Sequence, residues 1–180
     1  KDRADQAALI YVSTETGQEV TYSFAQLSDE VQRMAAILQS LGVKQGDRVL
    51  IYLPMIAEAA FAMLACVRIG AIHSVVFGGF ASHSLATRID DASPVLVISA
   101  DAGSRGGKVV PYKPLLDEAI TLAAHKPQKV LMVDRGLAAF TAVPGRDLDY
   151  AALRNQHAGA QVFVDNPFMQ GMLVNDGDPF

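Results

Sequence analysis

The chain has 180 residues, of which 51% are hydrophobic, and its formal net charge is −4. This length suits one medium-sized domain, and the negative charge excludes a general nucleic-acid surface, which would need a basic patch. No apolar run is long enough to span a membrane, the first residues lack the apolar segment of a secretory signal, and the single Cys66 excludes an internal disulfide. We therefore expect a cytoplasmic protein.

The first part of the sequence predicts a β-hairpin followed by an amphipathic helix. Two β-prone runs, 8–12 and 19–22, flank a polar stretch that contains a glycine. Ser23 followed by Gln26 is the pattern of a capping box, and apolar residues then recur at spacings of three and four through residue 41. We therefore expect the hairpin to lead directly into a helix.

From residue 48 onward, apolar strands alternate with helices. Strands are predicted over 48–53, 71–77, 94–99 and 129–133, and helices over 55–69, 82–91 and 114–124. Strand, helix and strand in repeated succession are typical of a doubly wound α/β fold, in which right-handed crossovers place helices on both faces of a mostly parallel sheet. We predict that fold, preceded by the hairpin.

The last part of the sequence carries weaker patterns. A short helix is predicted over 148–157, after a loop-like stretch that begins at Gly136. We expect residues 1–161 to form one domain. The tail, residues 162–180, contains the turn-forming pairs Asn-Pro, Asp-Gly and Asp-Pro without a sustained period, and it is left without an assigned role.

Two glycine pairs follow successive predicted strands. The first lies in residues 77–80 (FGGF), where glycines would let backbone amides approach a ligand and the aromatic rings could cover it. The alternative for this pair is an ordinary strand-to-helix turn that needs glycine for its backbone dihedrals. Because ligands of open parallel sheets bind outside the carboxyl ends of the strands, we expect a crevice at this position.

The second glycine pair is flanked by two cations. Arg105 and Lys108 bracket Gly106 and Gly107, and a planar guanidinium together with an ammonium group suits a phosphate. The alternative is a solvated surface turn. Neither glycine pair matches the phosphate-binding loop of nucleoside triphosphatases or the dinucleotide-binding fingerprint. The pattern therefore favours an anionic ligand held between the two turns.

No catalytic centre can be assembled from the sequence. Cys66 lies among small apolar residues of a predicted helix, which is typical of a core cysteine rather than a nucleophile. The four histidines have no spacing that indicates a metal site, and no Ser/His/Asp set can be identified. The residues thus predict a binding site with no catalytic residue and no metal ligand.

Long blocks of the sequence resemble a known family. Residues 46–55 (GDRVLIYLPM) and 65–80 (ACVRIGAIHSVVFGGF) are similar to the N-terminal domain of AMP-forming short-chain acyl-CoA synthetases, members of the adenylate-forming superfamily. Residues 104–113 and 115–120 look closer to propionate–CoA ligases than to acetate enzymes, which typically carry an arginine where Lys108 stands. The resemblance extends from about residue 7 to residue 161.

The resemblance implies a function for both glycine turns. The family converts a carboxylate and Mg-ATP to an acyl-adenylate and pyrophosphate, and then transfers the acyl group to CoA. Gly79 is implied to contact CoA, and Arg105 and Lys108 to hold phosphate of its 3′-phospho-ADP end. Gly106 and Gly107 are implied to let the loop close on that phosphate.

Parts of the family pattern are absent from the 180 residues. These are the glycine-rich phosphate loop, the adenine and ribose motifs, and the C-terminal domain with the catalytic lysine. The resemblance therefore implies that the chain is a fragment of a ligase for propionate, or else acetate. The parent ligase would use ATP, Mg²⁺ and CoA. The fragment alone would be inactive and would hold none of these tightly. Two alternatives stay open: a non-catalytic α/β module that binds CoA or another phosphate ester, and a scaffold that packs against the rest of an enzyme.

Overall fold

The computed structural model of the chain describes residues 2–78 and 80–163. Gly79 and residues 164–180, most of the predicted tail, lie outside the described residues. The elements follow in the order β1 (Ala7–Val12), β2 (Glu19–Ser23), α1 (Phe24–Ser40), β3 (Arg48–Tyr52), α2 (Ala57–Arg68), β4 (Ile72–Val75), α3 (Ser82–Ala92), β5 (Leu96–Ala100), β6 (Ala102–Arg105), β7 (Lys108–Pro111), α4 (Tyr112–Leu122), β8 (Lys129–Val133), β9 (Asp147–Asp149) and α5 (Tyr150–Gln156).

The predicted hairpin and its capped helix are confirmed. Strand β1 pairs antiparallel with β2, and α1 begins directly after β2. The Ser23 hydroxyl accepts a hydrogen bond from the backbone N–H of Gln26 at 3.3 Å, while the Gln26 side chain accepts one from the backbone N–H of Ser23 at 2.9 Å. These two bonds satisfy backbone donors that the first turn of a helix leaves without partners.

The main sheet has the predicted doubly wound form. Its five described strands lie in the order β4-β3-β5-β8-β9, and every described pairing between them is parallel. From β3 the chain crosses to β4 on one side and then to β5 on the other. The sheet therefore has a switch point at β3 and β5, and a crevice for a ligand is expected outside their carboxyl ends.

Alternate residues of the strands point to two separate hydrophobic layers, so helices cover both faces of the sheet. Val49 and Ile51 of β3 join a core with α1, α2 and α5. Leu50 and Tyr52 of the same strand join a second core with α3 and α4. Strands buried on both faces require continuous apolar runs, which accounts for the hydrophobic composition of the chain.

The main differences from the sequence prediction lie after β5. The second glycine pair, predicted as a turn, joins two strands that were not predicted, β6 and β7, into an antiparallel hairpin. Helix α4 begins at Tyr112 instead of residue 114, and the short strand β9 precedes α5. Strands β6, β7 and β9 have only three or four residues each, too few to show a periodic pattern in the sequence. No described helix, within 2–78 and 80–163, has the length and apolar character needed to cross a membrane.

We expect Ile98→Ala to lower the free energy of unfolding by about 2–5 kcal/mol, because Ile98 is fully buried in the central strand β5 and its truncation leaves a cavity. The control Val95→Ala, at a side chain that is 37% exposed beside the same strand, should change it by less than about 0.5 kcal/mol. Urea unfolding curves of both variants measure the difference, and equal effects would contradict this two-layer core.

Candidate functional site

The predicted crevice lies at the carboxyl edge of the sheet, beside the switch point. It is a cavity of about 520 Å³ whose walls come from the ends of β3 and β4, from the β6–β7 hairpin and from the start of α4. Its lining residues are Glu15, Leu53, Pro54, Met55, Val75, Val76, Phe77, Gly78, Ser104, Arg105, Val110, Tyr112 and Leu115. Gly78 of the first glycine pair and Arg105 beside the second thus line one site, whereas Gly106, Gly107 and Lys108 are not among its lining residues. The site is apolar except for Glu15, Ser104, Arg105 and the Tyr112 hydroxyl.

Tyr112 connects the two turns. Its side chain is buried, and its ring stacks on Tyr52 with the centroids 4.7 Å apart. A Cβ atom on Gly78 would lie 1.9 Å from the Tyr112 hydroxyl oxygen, and one on Gly103 would lie 2.5 Å from it. Glycine is therefore required at both positions by the close approach of this ring, a reason that the sequence pattern did not supply. Burial raises the pKa of Tyr52 to about 12 and also raises that of Tyr112, so both phenols stay neutral.

The second glycine pair forms the tip of the β6–β7 hairpin. Gly106 and Gly107 both have positive φ, +57° and +76°, as a two-residue type I′ turn requires. A Cβ on either would meet no atom within 4 Å, so here the backbone conformation and not crowding demands glycine. The predicted Gly-Gly pair is thus an exposed and regular turn.

Two cations stand side by side at the base of that tip. Arg105 pairs directly with Lys108 across the hairpin, and both residues are exposed. Neither side chain makes an ion pair or hydrogen bond to another residue within the described part of the chain. Like charges directly opposite each other destabilise a strand pair. A bound anion would relieve this repulsion.

The first turn contributes an aromatic wall. Phe77 is 67% exposed, and its ring contacts that of Phe80 edge to face, with centroids 6.1 Å apart. Gly79, the remaining predicted site residue, lies outside the described residues. Phe77 and Arg105 line the same cavity, which agrees with the predicted crevice between the two turns.

Sequence reasoning missed a pair of charged residues beside the cationic turn. The carboxylate of Glu15, in the loop between β1 and β2, accepts a hydrogen bond from the backbone N–H of Ser104 at 2.8 Å and forms an ion pair with Arg135. Arg135 also donates to the backbone carbonyl of Ala102 at 2.9 Å. Glu15 lies 89 residues before Ser104 and 120 before Arg135, so no local spacing could indicate this contact.

Asp101 anchors the loop that carries Arg135. It is fully buried directly after β5, and its carboxylate accepts hydrogen bonds from the backbone N–H groups of Arg135, Leu137 and Ala138 at 3.1, 2.7 and 3.1 Å. A buried carboxylate is tolerated only with such partners. An aspartate that directly follows an apolar strand could have been singled out from the sequence, but its partners could not.

The other reactive side chains lie away from the crevice. Cys66 is fully buried in the first core layer, and burial raises the pKa of its thiol to about 12, which keeps it protonated. Its prediction as a core residue is confirmed. Within residues 2–78 and 80–163, no three His, Cys, Asp or Glu side chains are grouped so that they could hold a metal ion.

Comparison with known proteins identifies related sequences over most of the chain. The model of the family described as AMP-binding enzyme matches residues 1–161. The Propionate--CoA ligase of Escherichia coli (strain K12) is 66% identical over 157 residues, which are 87% of this chain and 25% of that protein. The human Acyl-CoA synthetase short-chain family member 3, mitochondrial, is 44% identical over 169 residues, or 92% of this chain and 25% of that protein.

A solved structure shares the fold. The Acetoacetyl-CoA Synthetase from Streptomyces lividans superposes with a TM-score of 0.76 at 30% sequence identity, covering 90% of this chain and 24% of that one. The chain therefore spans about a quarter of the length of the proteins that it resembles.

We expect Gly103→Ala to destabilise the chain by about 1–3 kcal/mol, because the new Cβ would overlap the buried Tyr112 ring. Tyr112→Phe removes the nearest atom, so the double variant Gly103→Ala/Tyr112→Phe should lose less stability than the sum of the single losses. Urea unfolding of the four proteins measures this coupling. Strict additivity would contradict the close approach of Tyr112 to Gly103.

Proposed function

The chain belongs to the AMP-binding enzyme family, and we propose from this premise that it forms the CoA-binding side of the N-terminal domain of an AMP-forming ligase. The parent ligase would activate a short-chain carboxylic acid as its acyl-adenylate and transfer the acyl group to CoA. The proposed acid is propionate, or else acetate. The identity of 66% to a protein named Propionate--CoA ligase supports the first choice.

The observation that carries the proposal is a pair of cations, Arg105 and Lys108, beside an apolar crevice, with no ion pair or hydrogen-bond partner among residues 2–78 and 80–163. Coenzyme A combines an anionic 3′-phospho-ADP end with a long and uncharged pantetheine arm. The Arg105 guanidinium and the Lys108 ammonium would bind a phosphate of the nucleotide end through charge-assisted hydrogen bonds. Gly106 and Gly107 add no side chains at the tip, so a phosphate can approach their backbone closely.

The crevice would direct the rest of the coenzyme toward the reaction. Phe77, Val75 and Met55 form an apolar wall that would accommodate the pantetheine arm, with Gly79 as a further proposed contact. In the transfer step the CoA sulfur would attack the acyl carbon of the adenylate, so that a C–S bond forms, the C–O bond to the AMP phosphate breaks, AMP leaves and the thiol proton is released. This chain would bind and orient the thiol carrier, which lowers the entropic cost of bringing the two reactants together.

We assign the adenylation step to the part of the parent ligase outside this chain, which corresponds to about three quarters of the length of the relatives. Mg²⁺ bound with ATP would neutralise phosphate charge during adenylation, and among the described residues no group of three or more His, Cys, Asp or Glu side chains could hold it. The carboxylate substrate and the remainder of the parent chain are accordingly proposed partners. The cytoplasm stays the proposed compartment, although one relative carries the word mitochondrial in its name.

We expect the double variant Arg105→Glu/Lys108→Glu of the full-length ligase to raise KM for CoA by roughly 100-fold or more, since each lost charge-assisted hydrogen bond is worth about 1.5–3 kcal/mol. KM for ATP should change little because the proposed ATP-binding elements lie outside this chain. Steady-state kinetics with each substrate varied separately measure both values. Arg88→Glu, on the exposed face of α3, serves as the charge-reversal control. An unchanged KM for CoA would disprove the phosphate assignment.

We also expect the 180-residue chain alone to release no pyrophosphate from ATP when propionate or acetate is added, whereas the full-length ligase does. The reason is that the proposed ATP and lysine elements lie outside it. A coupled pyrophosphate assay with both acids measures this. Acid-dependent pyrophosphate release by the 180 residues would refute the proposal that the adenylation elements lie outside them. A full-length protein that binds CoA without such release would favour the non-catalytic module.

A further inference from the structure

We propose that Glu15 and Arg135 are positioning residues that hold the cationic turn in its CoA-binding orientation. The two side chains and their contacts to β6 are called the Glu15–Arg135 clamp below. The inference rests on the proposed CoA-binding role of Arg105 and Lys108, but the contacts that carry it are independent of that role.

The clamp acts on one edge of the β6–β7 hairpin, and the register of the hairpin decides which backbone groups face it. Arg105 and Lys108 close a two-residue turn, and the closing pair of such a turn is hydrogen-bonded. Antiparallel pairs then alternate, so Ser104 and Ala102 occupy positions that do not bond to β7. Pro111, which has no N–H, stands opposite Ala102, as this alternation requires.

The clamp binds two of the backbone groups of β6 that face away from β7. Glu15 accepts from the N–H of Ser104 at 2.8 Å, and Arg135 donates to the carbonyl of Ala102 at 2.9 Å. The Glu15 carboxylate thus accepts from an N–H of β6, the Arg135 guanidinium donates to a carbonyl of β6, and the two side chains form an ion pair with each other. The clamp thus replaces a neighbouring strand along the open edge of β6.

Burial makes this arrangement rigid. The side chain of Arg135 is 8% exposed and that of Glu15 is 21% exposed, so each charge depends on the other more than a surface ion pair would. The backbone of Arg135 is held in turn by buried Asp101. The clamp therefore ties the hairpin to the carboxyl ends of β5 and β8, which are fixed parts of the sheet.

The clamp serves the turn in two ways. Ser104 directly precedes Arg105, so fixing its N–H fixes the direction in which β6 presents the guanidinium. A two-stranded hairpin with like charges at its tip would otherwise be marginal. In addition, Arg135 neutralises the Glu15 carboxylate, which lines the same cavity as Arg105 and would otherwise compete with a phosphate for it.

The central test is Glu15→Gln in the full-length ligase. The amide keeps an acceptor for Ser104 but loses the ion pair with Arg135, so we expect KM for CoA to rise roughly tenfold while KM for ATP changes by less than about twofold. The matched control is Glu19→Gln. Glu19 belongs to the β1–β2 hairpin, as Glu15 does, but its carboxylate makes no ion pair or hydrogen bond to another described residue. A KM for CoA equal to that of the control would overturn the proposal.

A charge swap separates backbone matching from charge pairing. The double variant Glu15→Arg/Arg135→Glu restores an ion pair but sets a donor against the Ser104 N–H and an acceptor against the Ala102 carbonyl. We therefore expect no recovery of KM for CoA relative to Glu15→Gln. Full recovery would mean that charge alone matters, and the strand-replacement proposal would be wrong. Thermal unfolding of each variant shows whether a loss merely reflects unfolding.

Amide hydrogen exchange provides a measurement that does not depend on function. We expect Glu15→Ala to accelerate exchange at the Ser104 amide roughly tenfold or more and to leave the buried Ile98 amide unchanged. Unchanged exchange at Ser104, or faster exchange with an unaltered KM for CoA, would overturn the positioning role. If Arg105→Glu/Lys108→Glu alone leaves KM for CoA unaltered, the proposed function fails instead, while the exchange result still tests the clamp.

Discussion

The site depends on the packing of one tyrosine ring between two glycines. Tyr112 is stacked on Tyr52, at the end of strand β3, and its hydroxyl end fills the space that side chains at Gly78 and Gly103 would need. Because interiors are packed without spare volume, this contact sets the separation between the first turn and the hairpin. The width of the crevice is therefore a property of the core and not of the loops.

Three segments that are distant in sequence meet at this edge of the sheet. The β1–β2 loop supplies Glu15, the end of β5 supplies Asp101, and the segment after β8 supplies Arg135. The carboxylates of Glu15 and Asp101 both accept hydrogen bonds, as groups shielded from water require. The exposed Arg105 and Lys108 of the hairpin tip have no ion pair or hydrogen-bond partner among the described residues, and functional sites are where such local conflicts are expected. Under the proposed function, a nucleotide phosphate of CoA would supply their counter-charge.

Much of the architecture could be predicted because it depends on local patterns. The capping box at Ser23, the buried strand runs and the alternation of strands with helices all follow from residues close in sequence, and the structure confirms them. Strand β9 and the β6–β7 hairpin could not be predicted in the same way, since strands of three and four residues carry no measurable period. Helix α4 begins two residues earlier than predicted, at Tyr112, whose backbone N–H donates to the carbonyl of Asp101, and Pro114 still lies in its first turn.

The fold class, the two glycine turns beyond successive strands and the cationic character of one of them can be inferred from residue order alone, because strand periodicity and residue charge are local properties. The reason why Gly78 and Gly106 must be glycine is visible only in the folded chain: Gly78 makes room for a ring, whereas Gly106 allows a positive φ. The tertiary structure alone also decided that Glu15 and Arg135 meet across 120 residues. Such contacts arise from the path of the whole chain, and no short-range pattern encodes them.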